Sequence, residues 1–147
     1  MHVVQALVSL GIGGSELVAV ETTEALIAAG HRVTVIAANG PLEKRVKAAG
    51  ANWLDWPIGR KRLATLRFIR QIRSWIQENH VDIVHVHSRL PAWICYLALR
   101  KLPPDQRPVF ITSMHGQYSV SSYSAIMARG DHVVAVSDHI RNYTIKN

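Results

Sequence analysis

Val3-Val4-Gln5-Ala6-Leu7-Val8-Ser9-Leu10-Gly11-Ile12-Gly13-Gly14-Ser15-Glu16 carries an apolar run, Val3 to Leu10, directly into a glycine-dense turn, and a helical pattern opens near Leu17. Strand, glycine turn and helix in this order predict a loop built to receive phosphate. Glycines bend the backbone without Cβ clashes and let it approach a ligand, while the first amides of the helix point outward, unpaired, at the positive end of its dipole. The same turn also joins strands to helices for packing alone, so the motif must be read with its neighbours.

Those neighbours repeat the pattern. Apolar runs rich in β-branched residues recur at Val33 to Ala37, Ile83 to Val86, Val109 to Thr112 and Val133 to Val136, with a weaker one around Asn52 to Leu54, each short enough for a buried strand. Helical patterns fall between them at Glu16 to Ala29, Leu42 to Ala49, Leu63 to Glu78, Pro91 to Leu99, Ser121 to Met127 and Asp138 to Tyr143. Gly30 and Gly50 stand where helix C-caps belong, Gly40-Pro41 opens the second helix, and Pro103-Pro104 with Pro108 mark the link before Val109. The alternation predicts one doubly wound, mainly parallel, Rossmann-like α/β domain over residues 1–147 with helices on both faces.

Composition bounds what such a domain does. The chain has 147 residues, 48% of them hydrophobic, enough for one folded unit with a core. No apolar run nears the ~20 residues needed to span a bilayer, and Met1-His2 leads into a strand pattern without a charged leader, so the cytoplasm is the expected location. Cys95, the single cysteine, lies in an apolar helical stretch and reads as an inert buried thiol.

The formal charge of +7 is local: Arg60, Lys61, Arg62, Arg67, Arg70 and Arg73 crowd one segment with no acid among them. Leu66, Ile69, Ile72 and Ile76 mark one side of the helix there, and Arg67, Arg70 and Arg73 form a stripe beside it. Phe68 and Trp75 add aromatic surface near the boundary, a combination suited to an anionic membrane surface, with a solvated flank on an ordinary core helix as the alternative. Nucleic acid is not an expected partner, because no nucleic-acid motif accompanies the charge and few aromatics are interleaved with it.

Ligands of a doubly wound sheet bind outside the carboxyl ends of the strands. The loop residues there are His85, His87, Ser88 and Arg89 after the fourth run, Ser113, His115 and Gly116 after the fifth, and Ser137 and Asp138 after the sixth. An NAD site asks for a third glycine and a carboxylate ending the second strand; Glu16 takes the glycine's place and Ala37-Ala38-Asn39 has no carboxylate, so no dinucleotide cofactor is expected. Glu16 answers the helix dipole, and Ser15 is a candidate cap. His85 and His87 share a strand face, but no cysteine or carboxylate clusters with them and His115, and no metal is expected. One of the pair is read as packed and the other as approaching the cleft. His115, beyond a buried strand and before Gly116, is placed to hydrogen-bond a hydroxyl or to carry charge near phosphate. No G-x-S-x-G elbow is present, and Ser88, Ser113 and Ser137 have loop or cap explanations.

Taken in order, Gly11 to Glu16, Ala29-Gly30-His31-Arg32-Val33-Thr34-Val35, Asp82 to Ser88, Thr112 to Gly116 and Val133 to Ser137 resemble the amino-terminal half of a family 4 glycosyltransferase, a retaining enzyme of the GT-B architecture with two facing Rossmann-like domains. The resemblance implies that Gly13 and Gly14 face the donor diphosphate, that His115 lies beside the transferred sugar as the catalytic candidate, and that Ser15, Glu16, His87, Ser88, Arg89 and Ser137 line the acceptor or sugar cleft. Members often carry a second histidine where Arg89 stands, so the acceptor contact departs from the family's pattern. It further implies a nucleotide-sugar donor, a glycan or lipid-linked acceptor, and a carboxy-terminal domain that holds the nucleotide pocket, the basic residues for the leaving diphosphate and a pair of glutamates. Without that domain the 147 residues are expected to be inactive, and an exposed half-cleft is expected to favour pairing of two copies. The rival expectation is a non-catalytic Rossmann-like module that binds a phosphorylated ligand or a protein.

Overall fold

Successive strand residues point to opposite faces of a sheet, and the registers of the inner strands pair odd with odd: Val3 with Val33 and Ile83, Gln5 with Val35 and His85, His85 with Ile111. Two faces with different chemistry follow. The computed structural model describes residues 1–147 and shows six parallel strands, β1 (His2–Ser9), β2 (Arg32–Ala38), β3 (Asn52–Asp55), β4 (Ile83–Val86), β5 (Val109–Met114) and β6 (His132–Ala135), in the order β3-β2-β1-β4-β5-β6. Helices α1 (Gly14–Ala28) and α2 (Glu43–Ala48) follow β1 and β2; α3 (Arg67–Asn79) and α4 (Arg89–Leu99) flank β4; α5 (Asp138–Lys146) follows β6. The doubly wound reading of the sequence therefore holds.

The even face of the four inner strands, with Val4, Ala6, Ile36, Val84, Val86 and Phe110, packs under Ile72 and Ile76 of α3 and Ile94 and Leu99 of α4. The odd face, with Leu7, Val35 and Ala37, packs under Ala19 and Val20 of α1 and Val46 of α2. Strands apolar on both faces read as unbroken runs because helices cover both sides, and that burial is the main stabilising term. On the β4–β5 half the odd face is polar instead, carrying His85, His87 and Ser113 beside Gln5. The β6 edge is bare: Val133, Val134 and Val136 are each at least 40% exposed.

Three boundaries differ from the sequence reading. The segment Leu63 to Glu78 opens as a 3-10 turn, Leu63–Leu66, before α3 begins, and its first leucines face solvent, Leu63 at 86% and Leu66 at 53% exposure. Phe68 is buried with Ile72 and Ile76, stacked 6.1 Å from Trp56, so it is core and adds no aromatic surface. Ser121 to Met127 is not an α-helix: a 3-10 turn, Ser124–Ala128, forms there, with the Ser124 amide donating to Ser121 Oγ. Finally, α4 starts at Arg89, and Pro91 fits its first turn because an amide there has no helical acceptor. Gly30 and Gly50 close α1 and α2 at φ +87° and +91°, as expected, whereas α3 closes on a left-handed His80, which carried no glycine signal.

Gly40 holds the glycine turn in place. The β2–α2 loop presses on the end of β1, with Leu42 N–H donating to Leu10 O at 2.9 Å, and a Cβ on residue 40 would meet the Leu10 carbonyl carbon at 2.5 Å and Gly11 N at 2.9 Å. Backbone cannot retreat as a side chain can. Gly40→Ala is expected to cost about 1–3 kcal/mol, the range for overpacking, read as a lower urea midpoint; a variant as stable as the parent would show that the two loops separate freely.

Candidate functional site

With β2 and β4 on its two sides, β1 sends the chain to α1 on the odd face while β4 sends it to α4 on the even face. The loops part at that point, and the crevice between them is where sheets of this topology receive ligands. The largest cavity, about 560 Å³, lies instead at the amino ends of β4 and β5, around Asp82, Asp105 and Arg107. The carboxyl edge nevertheless carries the organised chemistry.

Gly13 is the N-cap of α1, in extended backbone, and Gly14 is its first residue; both are exposed. Ser15 does not cap. Its hydroxyl donates to Glu16 Oε2 at 2.8 Å, and the Glu16 carboxylate folds back into the space that a Cβ on Gly13 would fill. The positive end of α1 is thus already faced by a carboxylate of its own helix. An anionic ligand entering there displaces that carboxylate or meets its charge.

Three imidazoles form a chain across the crevice floor. His87 is 1% exposed; its Nε2 donates to Gln5 Oε1 at 2.6 Å, and its Nδ1 accepts from His115 Nε2 at 3.0 Å. His85 Nε2 pairs with Ser113 Oγ at 2.7 Å. Burial explains their protonation: desolvation pushes His85 down to about 4, holds His87 well below the usual imidazole value, and lowers His115 against the opposing pull of the Glu16 carboxylate. All three are neutral at pH 7. Because the His87 and His115 nitrogens bond each other at hydrogen-bond distance, that pair is a donor–acceptor relay and not a chelate, and no group of three His, Cys, Asp or Glu is arranged to hold a metal ion.

His87 was expected to line the acceptor cleft; with both ring nitrogens bound inside the protein, it reaches the cleft only through His115. His115 is half-buried and within electrostatic reach of Glu16, which brings the β5 loop beside the glycine turn. Ser88 is the N-cap position of α4, but its hydroxyl makes no cap bond and is enclosed without a partner. Arg89 opens α4 with its guanidinium 5.0 Å from the Tyr118 ring centre and 5.3 Å from that of Tyr123, while Nη1 donates to Ser124 Oγ at 3.2 Å. Ser137 caps α5, accepting from Ile140 N–H at 3.3 Å, and this bond accounts for its hydroxyl.

The arginine stripe divides. Arg73 Nε donates to Ala98 O at 3.1 Å near the end of α4, a bond that removes it from any outward-facing set, while Arg67 and Arg70 are exposed. The protein's two ion pairs join Arg45 to Glu24 and Lys47 to Glu43, so Arg60, Lys61, Arg62, Arg67 and Arg70 remain unpaired. A groove of about 240 Å³ separates this basic turn from α4. Sequence reading missed Gln5, Tyr118, Tyr123 and Ser124. Only Gln5 left a signal, as the one polar residue within Val3 to Val8.

The neutral imidazoles set the pH response of the fold. Between the free imidazole value of 6.5 and about 4 the unfolded chain binds protons that His85 in the fold refuses. Stability is therefore full above pH 6.5 and lost as the pH falls through that interval, by about 3 kcal/mol from His85 alone. Thermal melts from pH 7.5 downward should show a falling midpoint; a midpoint that held steady to pH 4.5 would mean that the folded imidazoles take up protons as readily as unfolded ones.

The sequence profile of Glycosyltransferase Family 4 matches residues 12–147. No curated protein matches the chain. Among solved structures, a glycosyltransferase from Rickettsia africae superposes with a TM-score of 0.80 at 23% identity, over 99% of this chain and 39% of that one. Sucrose-phosphate synthase from Thermosynechococcus elongatus gives 0.72 at 15% identity, over 99% of this chain and 45% of its own. The glycotransferase of kitacinnamycin gives 0.54 at 21%, over 86% and 33%. The chain spans less than half the length of each, and at these identities the likeness shows the fold. With the family profile covering all but its first eleven residues, the chain belongs to glycosyltransferase family 4.

Proposed function

We propose that these residues are the acceptor-side domain of a retaining glycosyltransferase that moves a sugar from a nucleotide sugar to a glycan or a lipid-linked acceptor. The observation that carries the reading is the meeting of the glycine turn and His115 at the β1/β4 switch point, an amide-rich anion cradle beside a neutral imidazole. Gly13 and Gly14 offer backbone amides to the donor diphosphate, with Glu16 swung aside. His115 hydrogen-bonds the transferring sugar, and Ser88 and Arg89 border the acceptor. The nucleotide pocket and the cations for the leaving diphosphate belong to a second domain facing this one, so these residues alone do not turn over.

A lipid-linked acceptor calls for a place at the membrane, on its cytoplasmic face. No helix is long and apolar enough to cross one. The 3-10 turn supplies the alternative: exposed Leu63 and Leu66 between Arg60, Lys61 and Arg62 on one side and Arg67 and Arg70 on the other, with no acid among them. Exposed leucines beside unpaired cations match an anionic lipid surface.

Two measurements test these assignments. In the full-length enzyme, His115→Ala should lower kcat/KM by ~10² or more if the imidazole acts on the transition state, and near-parent turnover would remove it from the catalytic set. For the membrane, Arg67→Gln with Arg70→Gln should weaken binding to vesicles containing phosphatidylglycerol by roughly 1 kcal/mol per charge, more so at low salt. Binding indifferent to salt and to both substitutions would exclude this surface.

A further inference from the structure

Gln5 lies in the middle of β1, fully enclosed, on the half of the odd face where the sheet turns polar. A glutamine there has no packing advantage over the valines and leucine around it. Burying its amide costs free energy that only hydrogen bonds offset, and its Nε2 has no partner. Its one bond, from His87 at 2.6 Å, must therefore account for the residue.

That bond has consequences two residues away in space. A carbonyl oxygen only accepts, so the proton of neutral His87 is fixed on Nε2, and its Nδ1 is left as a lone pair. The lone pair accepts from His115 Nε2 at 3.0 Å, which fixes the proton of neutral His115 on Nε2 in turn. His115 Nδ1 takes no partner in the protein and is left as an acceptor. With the opposite tautomer His115 would lose its bond to His87 and with it the contact that orients the ring.

We propose that Gln5 is the positioning residue of this site: acting through His87, it fixes the ring and the tautomer of His115 so that Nδ1 is offered as a hydrogen-bond acceptor at the carboxyl edge of the sheet. The inference rests on the transferase reading only for what Nδ1 receives, a sugar hydroxyl, which is a donor. Gln5 never touches the ligand. Its role is comparable to the outer partner that orients a catalytic or metal-bound histidine.

The test is made on the 147-residue chain itself, uniformly labelled with ¹⁵N, by long-range ¹H–¹⁵N correlation of the imidazole rings at pH 7.5. The parent should show His87 and His115 each as a single Nε2–H tautomer. Gln5→Met, close in length and volume but with no acceptor, should leave the amide fingerprint in place while His115 becomes a mixture of tautomers. Gln5→Glu, which keeps an acceptor at the same reach, should hold a proton on His87 Nε2. A His115 proton on Nδ1 in the parent, or one tautomer unmoved by Gln5→Met in a chain whose fingerprint shows it folded, would overturn the proposal. If Gln5→Met does not fold, the parent spectrum still decides it, because a His115 proton on Nδ1 contradicts the acceptor role of Gln5. None of these outcomes depends on turnover, so failure of the transferase reading, seen in the full-length enzyme, is a separate result.

Discussion

The position of β1 between β2 and β4 is the constraint on which the rest of this structure depends. It makes β1 the most enclosed strand, with six consecutive buried residues from His2 to Leu7. It also forces the chain to depart to opposite faces on its two sides, which opens the crevice. A polar side chain in such a strand is admitted only with a partner, and the partner available on the neighbouring strand is His87. The chemistry of the site and the burial of the sheet are thus one arrangement: Gln5 satisfies His87, and His87 satisfies His115.

Charge follows a similar economy. The Glu16 carboxylate occupies the amide end of α1 and reaches His115 electrostatically, while Arg89 is held by two tyrosine faces and a serine hydroxyl without a carboxylate partner. Negative charge therefore stands at the glycine-turn end of the crevice and positive charge at the α4 end. A phosphate-bearing ligand meets opposite conditions at the two ends, and the side chain with freedom to respond is Glu16, which is tied by a single hydrogen bond from its neighbour Ser15.

Much of the fold was legible because long-period signals are redundant. The runs Val3 to Val8 and Val33 to Ala37 announce strands buried on both faces, and Gly30 and Gly50 mark helix ends with the backbone conformation that glycine favours. Short elements lacked that redundancy. Leu63 to Leu66 continues the apolar spacing of α3, yet its leucines face solvent, because the chain winds as a 3-10 turn there and the side chains lose the period of the helix that follows. Phe68 stands four residues before Ile72 and eight before Ile76 and so shares their buried face, whereas Leu66, two residues further back, falls on the opposite side.

The site was legible as a set of loops and not as a set of bonds. His115, Glu16 and Arg89 could be nominated from their places after strands, since topology assigns the carboxyl edge before any side chain is positioned. That His87 serves His115 from beneath could not, because the register that sets His87 beside Gln5 is a property of two strands far apart in the chain. A residue's exposure decides whether it touches ligand or acts through a neighbour, and exposure is set by register. Sequence position favoured His115 as the catalytic candidate and still set His87 in the cleft as a second contact. The fold separates them, giving one both its bonds inside the protein and leaving the other a single unfilled acceptor at the edge of the sheet.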